Sequence, residues 1–460
     1  MTRSPAPASQ PLGPEDHVVI VGGGFSGTLL AANLVRFAGP RVTVVERVAR
    51  QMGRGVAYSA EQASQLLNVR AAGMSAYPDD SGHFVRWVAA RGMPADQFVA
   101  RATYGDYLCE ALAEAHAAAG DRLSFVNGEV VGVEEGSTAV LADGTRIAAK
   151  AVVLTVGNLP PHTPPGLLPE ALPPGVYVSD PWGSRIGEGL GADDTVVLVG
   201  TGLTAIDVRL KLAERGYAGR IVALSRRGLG PRRHVQGLPP PRPYADPPRE
   251  PLSALTRQVR AAAAKDGWRL AVDALRPVTQ RWWGRADDAT RRRFLRHLRP
   301  FWDVHRHRLA PQVADAIEQL VGRGQLSFVA GKIVGAAPLG GAAAALTWRP
   351  RGAEAPITLA ASRIVNCTGP QGDIRRSDDP LLRDLLAEGR IRPDALNLGI
   401  EVDAQSRVIT AGGQADPALY CVGPMTRGSY WEIVAVPDIR GQCADLARRL
   451  ANAGWVAEGL

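Results

Sequence analysis

The chain has 460 residues, 45% of them apolar, and a formal net charge of +8 at pH 7. That length suffices for two or three domains with separate cores, and no apolar run approaches the roughly 20 residues of a membrane-spanning helix. Lysine occurs only at Lys150, Lys211, Lys265 and Lys332, and the other positive charge is arginine scattered along the chain; no compact basic patch interleaved with aromatics points to a nucleic-acid partner.

Residues 1–16, MTRSPAPASQPLGPED, lack the apolar stretch of a secretory signal and read as a disordered tail, so the expected location is the cytoplasm. His17–Val21 (HVVIV) is a strand-like run that breaks into GGGFSG and then TLLAANLVRFA, where the apolar period turns helical. RVTVVER follows as a second β-branched run ending at Glu46, which completes a βαβ unit. A helical, aromatic-bearing segment from Phe84 to Ala119, a β-meander from Leu123 to Ala148 and the strand AVVLTVG come next. The opening pattern then recurs as Thr195–Val199 (TVVLV), GTGLTAIDVRLKLAERG and RIVALSRRG. An internal repeat of this kind predicts two dinucleotide-binding domains.

Eight prolines between Pro231 and Pro251 forbid regular helix or central strand there, which leaves a lid or a plain linker. Helices are predicted from about Leu252 to Gly322, and short strands around Leu326–Phe328 and Ala345–Trp348. RIVNCTGP reads as a strand re-entering the first domain and ALYCVGP as another, with a terminal helix beginning at Pro437. The predicted class is α/β with two Rossmann-like domains and an additional helical segment. The first domain is discontinuous, 17–190 and 363–460; the second, 191–362, is inserted with the proline-rich loop and the helices.

Gly22-x-Gly24-x-x-Gly27 lies between a strand and a helix. The first glycine permits the tight turn, the second lets a pyrophosphate approach the backbone, and the third lets helix and strand pack closely. The helix N-terminus then offers free N–H groups to phosphates, and Glu46 is placed to accept hydrogen bonds from ribose hydroxyls. Gly200-x-Gly202-x-x-Ala205, with Leu203 and Thr204 opening its helix, repeats the arrangement. Here the second strand ends in Ser225-Arg226-Arg227 instead of an acid. Arginine forks onto a 2′-phosphate that an acid would repel, which favours NADPH over NADH; the alternative is an exposed turn. The helix at Pro437 would aim its positive end at a flavin ring, and Gly423 stands where close approach to a flavin demands glycine.

Cys109, Cys367, Cys421 and Cys443 form no C-x-x-C pair, so neither a redox dithiol nor a zinc finger is predicted, and Cys367 and Cys421 read as buried, inert thiols. No nucleophile elbow or Walker loop is present. The segment Arg291–Arg308 (RRRFLRHLRPFWDVHRHR) has two readings. One is a cationic wall for a substrate carboxylate, with His305 and Arg306 beside the flavin. The other is a solvated arginine face, with Pro300 interrupting the helix and Phe301 and Trp302 in the core. No metal is expected: His305 and His307 point apart on a helix, and no acidic ligand set surrounds them.

The motifs VVIVGGGFSG, GRGVAYS, LLNVRAAGMSAYPDD, ATYGDYL, VLVGTGLTAIDV, ALSRRG, FWDVHRHRLAP, VNCTGP and SYWEIVAVPDIRGQ together resemble the family of FAD/NAD(P)-binding proteins related to single-component flavin N-hydroxylating monooxygenases, aspartate N-monooxygenase among them, and to Baeyer–Villiger enzymes. The resemblance spans almost all of the chain after the tail. It implies FAD contacts at Gly22, Gly24, Phe25, Ser26, Gly27, Glu46 and Arg54, in the Asn68–Ser75 segment (Asn68, Met74 and Ser75), and at Gly157, Gly369 and Gly423. TVGN departs from the family's ATGN at Val156 but keeps the turn glycine. The implied activity is FAD- and NADPH-dependent N-hydroxylation of a small amine or amino acid with O2, with L-aspartate among the candidates. Two alternatives are a reductase passing electrons to a protein acceptor and an FAD-binding redox sensor without turnover. Neither a membrane nor a nucleic-acid partner is expected.

Overall fold

Five-residue apolar runs alternate with amphipathic helices in the first third of the chain, a pattern that buries strands on both faces of a parallel sheet. The computed structural model describes residues 12–59, 65–94, 97–134, 136–235, 237–244 and 251–453. Strand β1 (His17–Val21) leads into helix α1 (Phe25–Arg36) and strand β2 (Arg41–Glu46). Helices α2 (His83–Ala89) and α3 (Arg101–Ala119) precede β3 (Leu123–Asn127), and β4 (Val130–Glu134), β5 (Thr138–Leu141) and β6 (Arg146–Ile147) form a separate antiparallel meander before β7 (Ala151–Leu154). After β8 (Tyr177–Val178), the second unit runs through β9 (Thr195–Val199), α4 (Leu203–Glu214) and β10 (Arg220–Ser225).

Helices α5 (Leu252–Asp266), α6 (Trp268–Arg285), α7 (Asp288–Arg293), α8 (Arg299–Arg306) and α9 (Pro311–Gly322) follow. Next come β11 (Leu326–Pro338), β12 (Ala344–Pro350), β13 (Ile357–Ala361) and β14 (Arg363–Asn366). The chain closes with α10 (Pro380–Ala387), β15 (Arg407–Ile409), β16 (Ala415–Cys421) and α11 (Val436–Leu450).

The first sheet has the order β15-β16-β7-β1-β2-β3 and the second β13-β12-β11-β10-β9-β14-β8. The core of the second, β14-β9-β10-β11, thus repeats β7-β1-β2-β3 of the first. This corrects one expectation: Arg363–Asn366 does not re-enter the first sheet. It pairs in parallel with β9, Ile364 opposite Val197, and with β8, Ile364 opposite Tyr177. Strand β8 therefore also belongs to the second sheet, although it precedes residue 190. Each sheet is buried on both faces: Val18 and Ile20 face α1, α3 and α11, whereas Val19 and Val21 face the meander and α10.

Residues 12–16 are not a free tail, because Leu12 packs on the first core and its N–H donates to Leu450 O at 3.2 Å; residues 1–11 lie outside the described residues. In the proline-rich segment, residues 236 and 245–250 lie outside them as well. Pro300 is absorbed by a π-helical turn, Phe294–Leu298, which joins α7 to α8; the wider turn accommodates a residue that clashes with the carbonyl four positions back. Trp283 stacks on Trp431 with ring centroids 4.7 Å apart and donates Nε1–H to Gly428 O at 2.8 Å, which ties the helical insertion to the C-terminal segment.

Two further contacts join the units. Arg101 of α3 pairs with Asp207 of α4 at 3.0 Å, both largely buried. His234, in the proline-rich segment, donates Nε2–H to Asn68 O at 3.1 Å and packs against Phe98. Burial, with help from Arg308 and Arg70 and against the Asn68 carbonyl, lowers the His234 pKa from 6.5 to about 4. The native state then holds fewer protons than the unfolded chain between those values, so stability falls as pH drops through that window. His234→Gln retains a donor toward Asn68 and is expected to flatten this part of the profile, as read from urea midpoints at about pH 7 and about pH 5.

Candidate active site

Helix N-termini leave N–H groups without intrahelical partners. Helices α1, α4 and α11 start at one cleft, with Gly24, Phe25 and Ser26, then Gly202, Leu203 and Thr204, then Val434, Ala435 and Val436 on its wall. None of the three has a side-chain cap hydrogen bond, so those donors are left to the cleft. Its volume is about 2140 Å³, against roughly 300–1,000 Å³ for a pocket holding one drug-sized ligand. That is room for two dinucleotides.

The glycines behave as the turn requires. Gly22 has φ +104° and Gly200 φ +124°, and a Cβ on either would lie 2.6 Å from Thr155 O or 2.1 Å from Cys367 O. Each fingerprint is thus pressed against the end of its own third strand, β7 or β14. Gly24 faces Gly55, whose φ is +62°; a Cβ on either would sit 3.1–3.2 Å from the other's Cα. The Glu46 carboxylate accepts from Gly23 N–H at 2.8 Å and Val48 N–H at 2.9 Å, lies 7% exposed and lines the cleft.

At the second fingerprint, Ser225, Arg226 and Arg227 line the cleft together with Lys332 of the neighbouring strand β11. Ser225 Oγ accepts from Gly228 N–H at 3.0 Å, and the Arg227 guanidinium lies 4.9 Å from the centre of the Phe301 ring. Phe301 is 42% exposed, so it is not the core residue the sequence suggested; Trp302 is partly buried in the aromatic cluster.

Arg54, Asn68, Met74, Gly157 and Gly369 also line the cleft, with Gly157 and Gly369 in matching turns after β7 and β14. Arg54 is held by Asp106 at 2.6 Å. Four expected contacts lie off the cleft wall. Gly27 packs α1 on the turn, a Cβ there falling 2.0 Å from Gly22 O. Ser75 is fully buried, donating Oγ–H to Asp80 O at 2.6 Å. Gly423 (φ +89°) packs against Ser26, whose Oγ would be 2.5 Å from a Cβ there. His305 turns away to Phe301 O and packs edge-on against Trp268. Burial pushes the Cys421 thiol up to about 12 and raises Cys367 as well.

Arg306 does reach the cleft, but as the partner of Glu432, its Nε 3.3 Å from Oε2. Glu432 also accepts from Trp302 Nε1–H at 2.8 Å and faces His307 Nε2 at 3.6 Å. Burial alone would raise this carboxyl; His307, Arg306 and the Trp302 N–H outweigh it and hold the pKa at about 2. His307, Glu432, Arg427, Trp431, Gly55 and Lys332 also line the cleft, though none was expected there from the sequence. All but Arg427 and Lys332 fall inside motifs quoted above, GRGVAYS, FWDVHRHRLAP and SYWEIVAVPDIRGQ.

Residues 19–159 match the family model described as FAD-NAD(P)-binding, and this segment is an FAD/NAD(P)-binding domain. No curated protein matches the sequence. Among solved structures, L-lysine 6-monooxygenase from Pseudomonas syringae superposes with TM-score 0.65 at 16% identity, over 95% of this chain and 99% of that one. The ornithine N-hydroxylase of Kutzneria sp. 744, solved with reduced FAD, NADP+ and L-ornithine, gives 0.62 at 16% over the same shares. The FAD-bound cadaverine monooxygenase of the desferrioxamine pathway from Erwinia amylovora gives 0.63 at 13%, over 96% and 95%. At these identities the likeness is one of fold.

Proposed function

We propose that the chain is an FAD-dependent, NADPH-using monooxygenase that hydroxylates the nitrogen of a small amine or amino acid, with L-aspartate the first compound to try. The observation that carries this reading is the single cleft lined by both glycine fingerprints, Glu46 at one end and Ser225, Arg226 and Lys332 at the other. The uncapped starts of α1, α4 and α11 supply the N–H donors that phosphates and an electron-rich ring require. The similar folds named above belong to enzymes of this class, whose named substrates are two amino acids and one diamine.

Bound FAD, with NADPH as reductant, would supply the redox and oxygen chemistry. The chain's part is to hold and shield. Gly24 and Gly55 let the backbone come close to the pyrophosphate, and Glu46 orients the ribose. Arg101–Asp207 and His234–Asn68 keep the two units closed over the cleft, which limits water. Arg226→Ala is expected to raise KM for NADPH on the order of 10-fold while leaving KM for NADH nearly unchanged, because only the former loses a charge-assisted phosphate contact. Equal effects on both nucleotides would remove Arg226 from that role.

The reading is tested by incubating FAD-loaded protein with NADPH, isotopically labelled O2 and a panel of amino acids and amines. Label in a hydroxylamine product supports it. Oxidation of NADPH that yields only peroxide across the panel sinks the monooxygenase.

A further inference from the structure

Charges on the cleft wall near the helical insertion are mostly paired. Arg306 and His307 face Glu432, Arg299 Nε lies 3.4 Å from Asp303 Oδ2, and Arg101 is held by Asp207. Asp438, at the start of α11, is held by Arg276 at 2.9 Å. Arg427 is the exception. Its side chain lines the cleft with Trp431 and Arg299, and among the described residues its guanidinium makes no hydrogen bond or salt bridge. Burial and the like charge of Arg299 lower its pKa to about 10, with Asp303 and Glu432 opposing, so it stays cationic at neutral pH. A half-buried guanidinium with its neighbours' carboxylates already engaged is complementary to an anion from outside the chain.

We propose that Arg427, with Arg299 beside it, is the anchor for a carboxylate of the substrate, so that the site takes an amine carrying an anionic group in preference to a diamine. The sequence placed this role on His305 and Arg306; the first faces away from the cleft and the second is neutralised by Glu432. The inference rests on the monooxygenase reading only for what happens at the substrate nitrogen. The charge preference stands on Arg427 itself.

The test is therefore a binding measurement. FAD-loaded protein is titrated calorimetrically with succinate, with its uncharged diamide and with 1,4-diaminobutane. Succinate is expected to bind at least on the order of 30-fold more tightly than either. Arg427→Met is expected to bring succinate and the diamide to within a few-fold of each other, and Arg427→Lys to fall between, since the charge remains but the fork is lost. A general packing defect would weaken both ligands alike and leave their ratio unchanged, and that result overturns the proposal. So does tighter binding of the diamine, or no succinate binding, by the unaltered protein, a comparison available even if the variants fold poorly. A shift in FAD affinity or flavin potential in Arg427→Met with the succinate ratio intact would assign the charge to the cofactor instead. None of these outcomes depends on turnover, so a failed oxygen-labelling experiment leaves the result interpretable.

Discussion

Gly27→Ala is expected to destabilise the protein by about 3 kcal/mol or more and to strip FAD from what still folds. The added methyl would lie 2.0 Å from Gly22 O and 3.0 Å from Thr155 Oγ1. The first of these is backbone of the glycine turn, and Thr155 is fixed by donating to the same carbonyl at 2.6 Å. No side chain can swing aside, so α1 must retreat from β1, and its N-terminal donors retreat from the pyrophosphate with it. The second fingerprint provides the internal comparison, because it carries Ala205 at the corresponding place with its methyl already buried. Ala205→Gly is expected to cost only about 1 kcal/mol, the helix-propensity difference. Urea unfolding midpoints and the ratio of flavin to protein absorbance measure both. A Gly27→Ala protein with full flavin and a wild-type midpoint would show that α1 is not held as closely as the structure places it.

That asymmetry shows which parts of the molecule local sequence can specify. A glycine turn followed by a helix is dictated by a few neighbouring residues, so both fingerprints, and the Glu46 and Ser225–Arg227 ends of their second strands, are readable in place. Sheet membership is different. RIVN is equally apolar whichever sheet it joins, and only its pairing with β9 and β8, far away in the chain, decides. Gly423 was identifiable as a glycine under constraint, and its φ of +89° and the closeness of Ser26 supply that constraint. Arg427 is one arginine among many, distinguished only by what does not pair with it. Glu432 lies inside a quoted motif, yet nothing local marks its role: its φ of +70° is one that a glutamate rarely adopts, and its partners come from Trp302–His307.

Glu432→Ala is expected to cost roughly 3–5 kcal/mol, the usual cost of leaving the other half of a buried ion pair uncompensated. Three groups lose their partner together: the Arg306 and His307 side chains and the Trp302 N–H. Glu432→Gly separates charge from backbone. It loses the same carboxylate but adopts φ +70° without strain, so it is expected to be about 1 kcal/mol less damaging than alanine. Acid provides a third route to the same interaction. The carboxyl is held at about 2, below its ordinary 4.5, so its contribution is complete above the ordinary value and is lost as pH falls through about 2. Wild-type protein should thus lose stability on acidification in a window where both variants, lacking the group, show a shallower slope. Parallel acid profiles for the wild type and the variants would mean that Glu432 is not charged in the folded state. The link between the helical insertion and the C-terminal segment would then rest on the Trp283–Trp431 stack, the Trp283 bond to Gly428 and the Arg276–Asp438 pair.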